Sequence, residues 1–121
     1  MPAEVRFTRN FEDNLDTIRE FLLSTSPSQA VERFALLQRQ IVSVALLLSE
    51  HPRIGRPMRT PSHPSRRTKL ALNHLAARTR SLRAGELREY LLQDYVVLYA
   101  ATQDMVHLLA IKPQKQLLYT L

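Results

Sequence analysis

Residues 86–119 run "ELREYLLQDYVVLYAATQDMVHLLAIKPQKQLLY". Leu87, Glu89 and Leu91 alternate with Arg88, Tyr90 and Leu92, the two-residue period of a strand. Tyr95 to Ala101 is rich in β-branched and aromatic side chains, which favour a pleated surface. Met105 to Lys112 has almost no polar interruption, as expected of a central strand buried on both faces. Gln93-Asp94 and Thr102-Gln103-Asp104 supply the turns. Three strands joined by tight turns form an antiparallel meander. It ends on a polar run, Lys112, Pro113, Gln114, Lys115 and Gln116, followed by Tyr119.

Upstream of the meander the period changes. Ala3 to Thr8 alternates, with Val5 and Phe7 on one side and Glu4 and Arg6 on the other, which predicts a short strand with one buried face. Phe11, Leu15, Ile18 and Leu22 then form one stripe of an amphipathic helix. Glu12, Asp13 and Asp16 stand in its first turns, where the helix dipole favours anions. The stretch "STSPSQ" breaks the pattern. Ser26 is expected to cap a second helix, with Pro27 at its first position and Gln29 three residues after the cap. Ala30, Phe34, Leu37, Ile41, Val44 and Leu48 carry that helix. Leu36, Leu46 and Leu47 widen its stripe and predict burial on more than one side. Two helices joined by a short turn read as an antiparallel hairpin.

"HPRIGRPMRTPSHPSRR" follows. Its prolines and glycine argue against regular structure. "TKLALNHLAARTRSLRAG" returns to helix-forming residues, with a narrow stripe at Leu72, Leu75, Thr79 and Leu82 and a stop at Gly85. The fold class is therefore α+β: an N-terminal strand, an antiparallel helical hairpin packed on a twisted antiparallel sheet, and an extra basic helical insertion before the meander. Residues 1–121 suit one domain with one core.

Composition narrows the function. No apolar run approaches the roughly 18 residues of a membrane span, so no membrane partner is expected. The N-terminus lacks a signal-peptide core. The chain has no cysteine, which excludes disulfides and thiolate metal sites and fits a reducing cytoplasm. The net charge of +6 is unevenly placed. Between His51 and Gly85 stand Arg53, Arg56, Arg59, Arg66, Arg67, Lys69, Arg78, Arg80 and Arg83, with no Asp or Glu. Such a block favours an anionic macromolecule, although a basic face kept for solubility has the same composition.

The chemistry available is cationic. His51, His63, His74 and His107 share no helical face at four-residue spacing and have no carboxylate at ligand spacing. No glycine-rich phosphate loop exists, since Gly55 and Gly85 are the only glycines. Neither a metal nor another cofactor is expected. Arg53, Arg56 and Arg59 recur every three residues in the proline-rich segment, and Arg88 lies in a strand. Lys112, Lys115 and Tyr119 follow the last strand. Cations and a tyrosine can cleave RNA without histidine, by stabilising phosphate charge and activating a 2′-hydroxyl. A solvated terminus with Tyr119 plugged against the sheet edge uses the same residues without chemistry. The helices are expected to shield one side of the sheet and to leave the other open and cationic.

Four segments in order carry a family resemblance. They are "VRFTRNFEDNLDTIREFL", "QAVERFALLQRQIVSVALLLSEHPRIGRP", "ELREYLLQDYVVLYAATQDMVHLLAIK" and "KPQKQLLY". The chain resembles the RelE/ParE superfamily of toxins from bacterial type II toxin–antitoxin systems. The long hairpin and "HPRIGRP" are closer to the ParE branch. Residues 60–84 look like an insertion. The resemblance implies a toxin that arrests growth by inhibiting DNA gyrase, serves plasmid stabilization and is neutralised by a cognate antitoxin. Operator DNA would be met only through the antitoxin. The RelE branch implies instead ribosome-dependent cleavage of messenger RNA, with Lys112, Lys115 and Tyr119 as the catalytic set. A non-toxic basic nucleic-acid-binding module is a third reading. Partner binding is expected at Arg53, Arg56, Arg59, Arg78, Arg80, Arg83 and Arg88, the insertion presenting an exposed basic helix to antitoxin or target.

Overall fold

The structure, a computed structural model, describes residues 2–58, 66, 69, 70, 73, 86–102, 104–116 and 118–121. The expected helix at 68–84 lies outside the described residues except for Lys69, Leu70 and Asn73. These elements run in order β1 (Glu4–Phe7), α1 (Arg9–Thr25), α2 (Ala30–Glu50), β2 (Arg56–Pro57), β3 (Glu86–Leu91), β4 (Tyr95–Ala101) and β5 (Met105–Pro113). They form one five-stranded sheet of order β1-β5-β4-β3-β2, with the two helices against one face.

The meander forms as the sequence predicts, with β3 antiparallel to β4 and β4 antiparallel to β5. Val106 to Lys112 are all buried, as expected for a strand covered on both faces. The middle strand of the sheet is β4, however, because β1 pairs beyond β5. That pairing is parallel, so the sheet is mixed rather than purely antiparallel. Local alternation in "EVRF" signals a strand but carries no information about its partner's direction. Opposite Leu98 and Tyr99 stand Ala110 and Leu108, which leaves Leu109 unpaired as a bulge in β5.

Three further expectations change. The proline-rich segment contributes β2, pairing Arg56 with Glu89 and Pro57 with Arg88. Met58 N–H donates to Leu87 O at 3.1 Å, so the missing N–H of Pro57 falls on the outer side of an edge strand, where proline is tolerated. Ser26 caps the C-terminus of α1, its N–H donating to Leu22 O at 2.8 Å; α2 begins after Gln29, which makes no side-chain cap bond. Finally, α2 is buried on one side only. Ala30, Leu37, Ile41, Val44 and Leu48 face the sheet, while Leu36 and Leu46 are exposed.

The core explains why these elements hold together. Phe11, Leu48, Tyr99, Val106 and Leu108 are 0% exposed. Each large apolar side chain so placed contributes about 1.5–3 kcal/mol relative to exposure. Thr8 fastens α1 to β5: its hydroxyl accepts from Phe11 N–H at 3.3 Å and donates to Leu108 O at 2.8 Å. Asn14 continues the attachment where β1 has ended. Its Oδ1 accepts from Ile111 N–H at 3.1 Å, in place of a neighbouring strand. On β1 only Val5 is half-buried; Phe7 is exposed and packs its ring against Phe11 at 5.7 Å between centroids.

Candidate functional site

The sheet face away from the helices is neither open nor simply cationic. Leu98, Ala100, Leu109 and Ala110 form a second buried apolar cluster, with Met58, Leu87, Tyr119 and Leu121 packed against it. The C-terminal residues fold back across this face. The expectation of an uncovered basic surface is therefore overturned: the chain's own tail lies on the apolar floor, since that floor would otherwise meet water.

Strand register decides which charges meet here. Glu89 pairs with Arg56 on one side and with Leu98 on the other, and Leu98 pairs with Ala110. Lys112 lies two residues beyond Ala110 on the same face. Glu89, Arg56 and Lys112 thus gather around the place where Tyr119 descends. The Tyr119 hydroxyl donates to Glu89 Oε2. Lys112 Nζ stands 5.1 Å from the centre of the Tyr119 ring and donates to Gln116 O at 2.6 Å. Arg56 Nε faces Glu89 Oε1 at 3.4 Å. Glu89 is 6% exposed and Lys112 is 8% exposed.

The electrostatics follow from that burial. Removal from water, together with the hydrogen bond to Glu89 and its charge, raises the Tyr119 phenol far above its ordinary range. The phenol is therefore a neutral hydrogen-bond donor at neutral pH. Burial lowers the pKa of Lys112, opposed by the Glu89 carboxylate.

The candidate residues separate into groups. Lys112, Tyr119 and Arg56 converge. Lys115 is exposed and stands outside the cluster. Arg88 points the other way: its Nη1 donates to Gly55 O at 2.5 Å and its Nε to Glu86 Oε2 at 2.7 Å. That bond holds the Glu86 carboxyl below its usual range. Arg88 thus has two acceptors within the chain. Arg53 is exposed in the turn after α2. Arg59, Arg78, Arg80 and Arg83 lie outside the described residues.

Sequence reasoning missed Glu89. Its only signal was a carboxylate on a strand among Leu87 and Leu91, at a position that alternation assigns to one face. The role of Gly55 was also missed. Its N–H donates to the Tyr99 hydroxyl at 2.9 Å. A Cβ at Gly55 would stand 2.6 Å from both Glu89 O and that hydroxyl. The glycine in "HPRIGRP" lets the chain pass this close to β3 and β4, and so positions Arg56 beside Glu89.

The ParE toxin family, toxins of the parDE type II toxin–antitoxin system, matches residues 5–118. The chain belongs to this family. Among solved structures, the fold is similar to one from the chromosomal ParDE toxin–antitoxin system of P. aeruginosa, at 14% identity and a TM-score of 0.60, covering 92% of this chain and 95% of that one. The toxin–antitoxin complex RelBE2 from Mycobacterium tuberculosis aligns at 18% identity and a TM-score of 0.48, covering 96% and 95% of the two chains. No curated protein matches the sequence.

Proposed function

We propose that this chain is the toxin of a type II pair, silenced by a cognate antitoxin, and that it arrests growth by binding DNA gyrase rather than by cutting messenger RNA. Membership of the ParE toxin family supports the toxin half of this reading. The observation that carries the choice of mechanism is the engagement of Tyr119. A nuclease needs a base to take the 2′-hydroxyl proton and a cation free to meet the phosphate. With residues 118–121 closed over the sheet, the phenol donates to Glu89, and Lys112 is engaged by Gln116 O and by the Tyr119 ring. Lys115 is exposed.

On this reading these residues serve binding rather than bond cleavage. The work belongs in the cytoplasm, where gyrase is. Contact with operator DNA runs through the antitoxin, and residues 60–84 carry Arg66, Arg67, Lys69, Arg78, Arg80 and Arg83 with no acidic residue among them. The test is induced expression in a bacterium, following supercoiling and protein synthesis separately, with and without the neighbouring reading frame. The reading expects early loss of negative supercoiling and an SOS response while translation continues, both suppressed by a small acidic neighbour. Early messenger cleavage with supercoiling intact contradicts it.

A further inference from the structure

We infer that residues 118–121 are a releasable strap over the second face of the sheet, latched by Tyr119 on Glu89, and that the face beneath has an alternative pairing ready for when the strap lifts.

The attachments of the strap differ from those of a strand. Among the described residues, no backbone hydrogen bond joins residues 118–121 to the sheet. They are held by side chains: the Tyr119 hydroxyl on Glu89, and Thr120 O accepting from Asn10 Nδ2 at 3.0 Å and from Asn14 Nδ2 at 3.1 Å. A segment fixed by a few such bonds opens at lower cost than a laddered strand.

The cluster beneath is also set up for two arrangements. Arg56 Nε and Glu89 Oε1 are both buried, face one another at 3.4 Å, and have no hydrogen-bond partner among the described residues. Buried polar atoms left in this way are costly. When Tyr119 departs, the Glu89 carboxylate is free to turn, and the ion pair it already makes with Arg56 at 3.4 Å shortens to a charge-assisted hydrogen bond that offsets the lost one. Lys112 loses the Tyr119 ring beside it at the same time, while its bond to Gln116 O, which lies outside the strap, remains. Against opening stands the floor itself, Leu98, Ala100, Leu109 and Ala110, which meets water when uncovered. The strap is therefore closed in the isolated chain and opens transiently. What it uncovers is an apolar strip bordered by two cations and one carboxylate.

The absence of native cysteine makes this measurable by thiol labelling. Ala110→Cys places a thiol under the strap, and Ala101→Cys places one in the core beneath the helices. Both chains are exposed to a thiol reagent under native conditions across low urea concentrations. The expected result is that Cys at 110 reacts at least about tenfold faster than Cys at 101, with little urea dependence, because local opening precedes global unfolding. Tyr119→Phe accelerates labelling at 110 by about tenfold more, the effect of losing one hydrogen bond to a charged group. Equal rates at both positions with the same urea dependence overturn the proposal, because the strap then opens only when the whole chain unfolds. Should Ala110→Cys fail to fold, Ala100→Cys reports on the same face. None of these outcomes depends on which target the toxin binds.

Discussion

The N–H of Gly55 donates to the phenolic oxygen of Tyr99 across 44 residues of chain, at 2.9 Å, in a place with no room for a side chain. This contact ties the loop after α2 to the middle strand. It sets the register of β2, and with it the approach of Arg56 to Glu89. Burial raises the Tyr99 phenol above its usual range, so it remains a neutral hydroxyl and a steady acceptor.

Gly55→Ala is therefore expected to destabilise the chain by about 1–3 kcal/mol, the range for forcing atoms into a filled space. One of the three close atoms is backbone, Glu89 O, which cannot swing aside. A lowered urea midpoint with unchanged slope checks this; an unchanged midpoint argues that the loop is free to move away.

Asn14 is expected to matter as much, although it sits in a helix. It satisfies Ile111 N–H on the strand edge that β1 leaves uncovered, and it holds Thr120 O. Asn14→Ala strands a buried donor at a cost of about 1–3 kcal/mol. Hydrogen exchange at the Ile111 amide is expected to accelerate selectively, ahead of the amides of β4.

His107 predicts a direction for acid sensitivity. It is buried, and burial first, then the charge of Arg6, lower its pKa below the ordinary imidazole value. The unfolded chain therefore binds the proton more readily than the folded one. The stability tied to this neutral imidazole is present above the unfolded pKa and is lost as pH falls through it toward the folded value. Wild-type protein should lose stability between about pH 7.5 and about pH 5.5, and His107→Gln should lose less over the same interval. Equal losses in the two chains would remove His107 from the account.

Lys115 tests the mechanism from outside the cluster. It is exposed and makes no hydrogen bond to Tyr119 or Glu89 among the described residues. Lys115→Ala is expected to leave growth arrest on induction unchanged. Loss of toxicity, with the folded protein still present in the cell, would favour phosphate chemistry at the C-terminus.

Much of the fold was legible because it repeats. The stripe from Ala30 to Leu48 and the alternation from Leu87 to Leu92 each continue long enough for a period to emerge. What the sequence withheld lacks a period. A two-residue strand such as Arg56–Pro57 has none, and its prolines point away from sheet. The parallel pairing of β1 depends on where a hairpin of two helices returns the chain. The Tyr119–Glu89 bond joins residues 30 apart, and no local pattern signals it. For the same reason the second sheet face was expected to be open. Arg56 and Lys112 were read as free charges, whereas a tail folded over apolar floor engages Lys112 and leaves Arg56 facing a buried carboxylate. Support for the toxin assignment therefore shifts from an uncovered basic surface to the family match over residues 5–118.

The most direct measurement combines the purified chain with purified gyrase and relaxed plasmid, beside a translating ribosome assay at the same protein concentration. The account predicts inhibited supercoiling or accumulated cleaved plasmid, with messenger RNA intact on the ribosome. Messenger cleavage with gyrase unaffected, abolished by Tyr119→Phe, would contradict it.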